Sequence, residues 1–427
     1  MSLKMNIDTH EPIINRLHGD KVIWIVVFLL SMASILLIYS SSSSLAFQSG
    51  TTNFSFLMEQ CQFVVLGLVA LYICYKIPLG FYRYFTFLIF AASLVLIMLT
   101  PIIGVEKNGA KRWLDFGFIV FQPAEFIKIT LILYLARALE MWDMEKFKDF
   151  FIKIVVPIGL VCVIIMMSSV STALVIGMLS FTILLIAGIQ WSHLLKAIGI
   201  GAATLLVLIL LNLALVKIFD VDLFPRFSTA ISRVEKYFVK EDIDKGLSAE
   251  EKQRKADETF QADMAKIAIS SANIFGKGPG KSTQRYVLPH PYSDFIYTII
   301  IEEYGLFGGV VILMFYLWLL YRCIILVRNC TKTFTAITVG GLGLMITTQA
   351  FLHILVNVGI LPVTGHTLPL ISAGGTSFII FSCAFGIILS VSRTIDIDTA
   401  KKEEHVPEKI AEPEFHDIID EKTGEFR

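Results

Sequence analysis

The sequence predicts an all-α polytopic membrane protein, with about ten transmembrane helices and one large extracytoplasmic loop between spans 7 and 8. Three observations carry that expectation. Of 427 residues, 55% are hydrophobic and only 17% charged, at a mean hydropathy of +0.72. Apolar runs of roughly 17 to 25 residues recur along the chain, each long enough to cross about 30 Å of hydrocarbon as a helix. A single stretch, 217–294, is both long and polar, with acids and bases nearly balanced.

Taken in order, the spans fall at 22–39, 57–75, 84–103, 121–140, 154–168, 171–189, 194–216, 295–321, 334–357 and 368–391. Ser168, Ser169 and Ser171 leave so short a polar turn between the fifth and sixth that these two could form one broken hairpin. A polar lead, 1–21, precedes the first span with no small-residue cleavage pattern after it, so that span reads as an anchor rather than a removed signal peptide. Arg16, Lys21, Lys76, Arg83, Lys146, Lys148, Lys153, Lys196, Arg322, Arg328, Lys332 and Arg393 all fall on one side of a ten-span plan. That side is therefore expected to be cytoplasmic, with both termini on it. Lys107, Lys111 and Arg112 in 104–120 run against the trend; they either solvate an external loop or serve a purpose there.

The segment 217–294 is too long for a bare connector. Ser248 and Glu251 form a capping-box pattern, and Phe260, Met264, Ile267 and Ser271 recur at helical spacing. An amphipathic helix on the outer face of the bundle is expected there. After Arg393 the chain turns charged and proline-containing, so 394–427 reads as a disordered cytoplasmic tail, leaving 22–393 as one transmembrane domain.

A formal net charge of zero argues against nucleic acid as a partner. The six cysteines lie in or beside apolar runs, which disfavours a disulfide framework or a cysteine metal site.

Polar clusters then stand out against the apolar background. In Asn108 to Trp113 and the residues after it, Gln122, Glu125 and Lys128 are spaced by three, one polar stripe on a helix that begins near Pro123. Glu125 and Lys128 either neutralise each other or wall a water-filled cavity. Gly276 to Gln284 is rich in glycine and lysine but lacks the GxxxxGK[ST] pattern and a preceding strand, so a nucleotide site is not expected. Asp294 lies at the mouth of an apolar helix, after Pro289 and Pro291; it could cap that helix or act chemically. Glu302 and Glu303 lie two turns deeper, where at least one must be buried and paired. Gln349, His353 and Asn357 share one face of the ninth span, and the breaks near Pro362, Pro369 and Gly374-Gly375 allow non-helical backbone beside a cavity. No set of His, Cys and acid residues has zinc spacing.

In this order, NGAKRW, QPAEFIK, GKGPGKSTQ, LPHPYSDFIY with IIEEYGLFG, and LPVTGHTLPLISAGGTS resemble the SEDS (shape, elongation, division and sporulation) family of integral-membrane peptidoglycan glycosyltransferases. The resemblance runs from the first span to Arg393. It implies that lipid II, an undecaprenyl-pyrophosphate-linked disaccharide peptide, is both donor and acceptor. It further implies that Asp294 is the essential acid and that Trp113 is needed for activity. The LPLISAGGTS ending and the DKVIW entry look more like the division than the elongation members, which implies septal synthesis in the bacterial cytoplasmic (inner) membrane. A class B penicillin-binding transpeptidase and other division proteins are the implied partners, beside membrane lipid.

The chain departs from the family pattern at Ser168 to Ala173 (usually Pro-Asp-x-Gly-Thr-Ala), at Glu59-Gln60 (usually Arg-Gln), at Ser271-Ala-Asn273 (usually serine-glycine-glycine) and at Ala373 (usually tyrosine).

The expected mechanism makes Asp294 the general base on the C4 hydroxyl of the acceptor, which attacks C1 of the donor with inversion and displaces undecaprenyl pyrophosphate. Lys111, Arg112 and Lys128 are the candidate cations for the leaving group. A divalent cation, magnesium or manganese, could share that work, although no ligand spacing marks a metal site. Further substrate-binding candidates are Trp113, Gln122, Glu125, Ser282, Gln284, Thr364, Ser372, Gly374, Gly375 and Ser377. Two readings of other classes compete: a lipid flippase or other transporter, for which paired half-repeats are wanting, and a non-catalytic scaffold of the division machinery.

Overall fold

The computed structural model describes residues 18–42, 52–107, 110–117, 120–219, 260–261, 263–288 and 291–404. Helix α1 (Lys21–Ser41) starts at Asp20, whose Oδ1 accepts the amides of Val22 and Ile23 at 2.9 and 3.2 Å. Its other oxygen accepts Arg322 at 2.6 Å, so one aspartate both caps α1 and holds it to a later helix. Helices α2 (Asn53–Lys76) and α3 (Leu79–Ile103) follow, separated by Ile77 and Pro78, where the chain is extended and the second helix can restart in a new direction.

Between α3 and the next helix the chain forms strands rather than the purely helical arrangement expected. Strands β1 (Val105–Lys107), β2 (Ala110–Asp115) and β3 (Val120–Phe121) make a three-stranded antiparallel sheet in the order β1-β2-β3. Helix α4 (Pro123–Met141) then opens with proline in its first turn, where the missing amide costs little.

Helix α5 (Phe147–Met166) contains a π-helical turn at Phe151–Val155, and α6 (Val170–Ile186) is capped by Ser169, whose side chain accepts the amide of Thr172. The fifth and sixth spans are thus two helices with a capped turn between them. Helices α7 (Trp191–Phe219), α8 (Ile296–Asn329), α9 (Thr333–Asn357) and α10 (Thr376–Glu404) complete the bundle.

The helices coincide one for one with the expected spans, although among the described residues only eight are long and apolar enough to cross a membrane by length and composition. The other two are α6, with 17 residues, and α4, which carries Glu125, Lys128, Arg137 and Glu140. Several boundaries shift: α5 starts at Phe147 rather than 154, α8 ends at Asn329 rather than 321, and α10 starts at Thr376 rather than 368. Helix α10 continues to Glu404, past the expected tail boundary at 393. In the helical stretch 263–271 Ala265 and Ala268 are buried, and of the expected apolar stripe Met264 packs inward while Ile267, and Phe260 before the stretch, are exposed. The capping-box pattern at Ser248 and Glu251 lies outside the described residues.

One end of the bundle gathers the basic loop residues. Arg322 meets Asp20, Arg83 and Arg137 both meet Glu140, Gly19 donates to Asp396, and Ser390 donates to the Ile77 carbonyl. The core between α2, α4, α8, α9 and α10 is apolar, and the outward faces of α1, α2, α3 and α7 expose large apolar side chains such as Phe28, Val69, Tyr84, Leu88 and Leu206, as a surface meeting lipid would.

Candidate active site

Helix α8 is where the opposite end of the bundle is organised. It is broken at Gly305, whose φ of 72° and ψ of −172° are open to glycine but strained for other residues; a Cβ there would lie 2.1 Å from the carbonyl oxygen of Ile274. The backbone groups released by the break are taken up by the glycine-rich loop. Lys277 N donates to Glu302 O and Gly278 N to Glu303 O, each at 2.9 Å, and Phe307 N donates to Ile274 O at 3.1 Å.

Both acids deep in α8 are 0% exposed and satisfied. Glu302 accepts Lys277 Nζ at 2.6 Å, Ser282 Oγ at 2.5 Å and the amide of Thr283 at 3.0 Å, with Gln284 N at 3.3 Å; Glu303 accepts Ser40 Oγ from the end of α1. Ser282 and Gln284, expected to touch substrate, are therefore engaged in fixing the loop to α8.

Asp294 sits in a turn, residues 291–295, just ahead of α8. The N-cap position falls at Phe295, with no side-chain cap bond of its own, so Asp294 is not the capping residue. The amide of Thr298 is instead taken by Asn357 Oδ1 at 3.0 Å, while Asn357 Nδ2 donates to the carbonyl of Asp294 at 3.0 Å. One α9 side chain thus replaces the missing cap and fixes the backbone that carries the acid. A second tie comes from Ser372, whose hydroxyl donates to the Ser293 carbonyl at 2.8 Å and accepts the amide of Leu368. Ser293 Oγ donates to Asp294 Oδ1 at 3.1 Å, and Ala373 N donates to Tyr292 O. Burial raises the pKa of the Tyr292 hydroxyl, and the nearby carboxylates of Asp294 and Glu59 add to that shift. Glu59, where a cation was expected from the family pattern, is thus a second acid acting on Tyr292.

Gly365 joins Asp294 to a polar cleft. A Cβ on Gly365 would lie 3.7 Å from Asp294 Oδ2, and the φ of this glycine is 70°. The cleft beyond is lined by Arg112, Gln122, Glu125, Thr364 and His366, with Ser168, Ser169 and Thr172 across from them. Behind it, Lys128 is 1% exposed and lies 2.6 Å from Glu125; it also donates to Gln349, whose Nε2 reaches the Thr367 carbonyl at 3.2 Å. The stripe read from the sequence as either neutralising or walling a cavity does both, since the pair is neutral and Glu125 still lines the cleft.

The predicted residues thus separate into groups. Arg112, Gln122, Glu125 and Thr364 line one cleft, with Asp294 across Gly365 from it, Lys128 behind it, and Ser377 donating to Gln122 at 3.4 Å. Lys111 and Arg112 occupy successive strand positions and so point to opposite faces. Lys111 is exposed and stands opposite Glu106, while Arg112 donates to the Ser168 carbonyl at 3.1 Å. Trp113 is half-buried and registers with Val105 in the sheet. Gly374 and Gly375 form the turn into α10, with Gly375 against Phe63. Among the described residues no cluster of three or more His, Cys, Asp and Glu side chains is placed to hold a metal.

Sequence reasoning missed His366, Ser169 and Thr172 as cleft residues. A histidine inside an irregular loop has no periodicity to mark it, and the serine turn was noted as a short connection and as a departure from the family pattern, not as a place for substrate.

The comparisons with known proteins agree on one group. A family model for FtsW, RodA and SpoVE, described as cell cycle protein, matches residues 20–396. A probable peptidoglycan glycosyltransferase FtsW from Hydrogenovibrio crunogenus is 30% identical over 377 residues, covering 86% of this chain and 90% of the relative. Among solved structures, a chain from work on the structural coordination of polymerization and crosslinking by a peptidoglycan synthase complex has a TM-score of 0.66 at 25% identity, covering 88% of this chain and 98% of that one. The rod shape determining protein RodA of Thermus thermophilus has the same fold, at a TM-score of 0.60 and 24% identity, covering 89% of this chain and 98% of that one.

Proposed function

The chain belongs to the FtsW, RodA and SpoVE family of cell cycle proteins, and from that membership we propose that it is a multi-pass membrane peptidoglycan glycosyltransferase that polymerises lipid II. The observation that carries the reading is the acid Asp294, held by Asn357 and Ser372 and facing across Gly365 a cleft that contains Arg112. Asp294 takes the proton of the acceptor C4 hydroxyl as that oxygen forms a bond to C1 of the donor. The C1–oxygen bond to the diphosphate breaks, and undecaprenyl diphosphate leaves with its electron pair. The product is inverted at C1. Arg112, with Lys128 behind it, supplies the positive potential that the developing diphosphate charge needs.

We assign the protein to septal synthesis, with both termini cytoplasmic and a class B transpeptidase and other division proteins as partners. The relative named FtsW supports the septal role, and the synthase complex, which couples polymerization to crosslinking, supports a crosslinking partner. Purified protein incubated with lipid II should give glycan strands on a denaturing gel, and more of them with the transpeptidase added. Recovery of intact lipid II under every condition would sink the reading in favour of a flippase or a scaffold. Depletion in cells should give filaments; round cells would instead assign the protein to elongation.

A further inference from the structure

The cleft contains one buried group that the reaction described above does not use. His366 is 7% exposed, lines the cleft, and its Nε2 has no hydrogen-bond partner; Thr364 Oγ1 beside it is likewise buried without one. The loop that carries both is fixed from behind by α9. His353 Nδ1 donates to the His366 carbonyl at 2.7 Å and Gln349 Nε2 to the Thr367 carbonyl, so the imidazole is held in place by its own backbone. The surroundings favour an anion. The N-termini of α4 and α6 both open onto the cleft, through Gln122 and Ala124 on one side and Ser169 and Thr172 on the other, and each brings the positive end of a helix dipole. The Ser169 cap of α6 is neutral, and Glu125, the carboxylate lining the cleft, lies against Lys128.

We propose that His366 and Thr364, with Arg112, form the subsite for the diphosphate of the lipid-linked donor, and that His366 takes up a proton when the anion binds. The proposal rests on the glycosyltransferase reading and deepens it. Burial, followed by the charges of Lys128 and Arg112 and then His353, lowers the imidazole pKa to about 3, so it is neutral near pH 7. A diphosphate placed against it brings negative charge that opposes those causes and raises the pKa. The proton comes from solvent, goes to the unpartnered Nε2, and the imidazolium then donates to a phosphate oxygen. The charged groups facing His366 are Arg112 from β2, Glu125 and Lys128 from α4 and, across Gly365, Asp294; His353 faces it from α9, and the residues that α3 and α6 contribute, Thr100, Ser168, Ser169 and Thr172, are uncharged. The sign follows from linkage. The bound form holds the proton more tightly than the free form, so affinity rises as pH falls, by at most about tenfold per pH unit for one proton.

The test uses the full chain in detergent with inorganic diphosphate as probe, its dissociation constant read by thermal shift between pH 8 and pH 6. The probe's own ionisation is common to every variant, so the reading is the difference between wild type and His366→Gln. Wild type should gain affinity more steeply than His366→Gln as pH falls, Thr364→Val should bind several-fold more weakly with the pH slope kept, and His366→Gln should raise the KM for lipid II. Equal slopes in wild type and His366→Gln overturn the proposal, as does an absence of diphosphate binding to folded wild type. If diphosphate binds as described while lipid II is not polymerised, the subsite stands and the glycosyltransferase reading fails. If lipid II is polymerised with equal KM by wild type and His366→Gln, the reverse holds.

Discussion

Asn357 shows how the site is set at the scale of single residues. Its amide accepts from Thr298, both N and Oγ1, and donates to the carbonyls of Asp294 and His353. Asn357→Ala removes these hydrogen bonds, at about 1–3 kcal/mol for each buried group that is left unsatisfied. The turn bearing Asp294 then loosens, and a displacement of about 1 Å can cost about a hundredfold in rate. The variant is expected to lose kcat by about 10- to 100-fold with a lowered melting temperature; an unchanged kcat in lipid II polymerisation would show that Asn357 does not position the acid. The stripe Gln349, His353 and Asn357 was legible in the sequence because helical spacing puts the three on one face. Asp294 was legible as a costly acid, but its capping role was not excluded until Phe295 took the N-cap position and Asn357 satisfied the helix amide from another element.

At the scale of elements, the break in α8 and the loop 276–284 form one unit. Glu302 accepts from that loop through side chains and amides, and Lys277 is 28% exposed, so solvent weakens the ion pair relative to a fully buried one. Removing one member of a fully buried pair costs about 3–5 kcal/mol, and the exposure of Lys277 brings the expected cost below that. In Glu302→Ala the amides of Lys277, Gly278, Thr283 and Gln284 should exchange hydrogen faster, and in Glu302→Gln less so; protection equal to wild type in both would show that the loop is held by other contacts. Gly305→Ala forces a Cβ against the Ile274 carbonyl at positive φ and should destabilise by at least about 1–3 kcal/mol in a thermal or denaturant melt. Wild-type stability in that variant would contradict the break. The sequence showed the glycines and the two acids but not their pairing. Backbone bonds such as Lys277 N to Glu302 O, between distant segments, leave no periodic signal. The sheet at 105–121 was hidden for a related reason, since its short strands in a charged loop resemble any polar connector.

For the whole molecule, hydrophobic run length was enough to give the ten helices, because a bilayer imposes span length on any chain that crosses it. Less was legible at the fifth and sixth spans, where Ser168 to Ser171 leave a short polar turn and α6 has only 17 residues. The orientation has a direct check in a background without the six native cysteines. Lys281→Cys should react with a membrane-impermeant maleimide in cells with a permeabilised outer envelope and an intact inner membrane, and Lys332→Cys should not; the opposite pattern would invert the topology.

The central claim is that Asp294 is the general base of lipid II polymerisation. Its most direct measurement is the single-turnover rate of Asp294→Asn on lipid II, with the melting temperature of the same preparation as a control. Loss of a positioned base predicts a fall of at least about 10²- to 10⁴-fold at wild-type stability. A folded Asp294→Asn protein that polymerised lipid II at the wild-type rate would contradict the account.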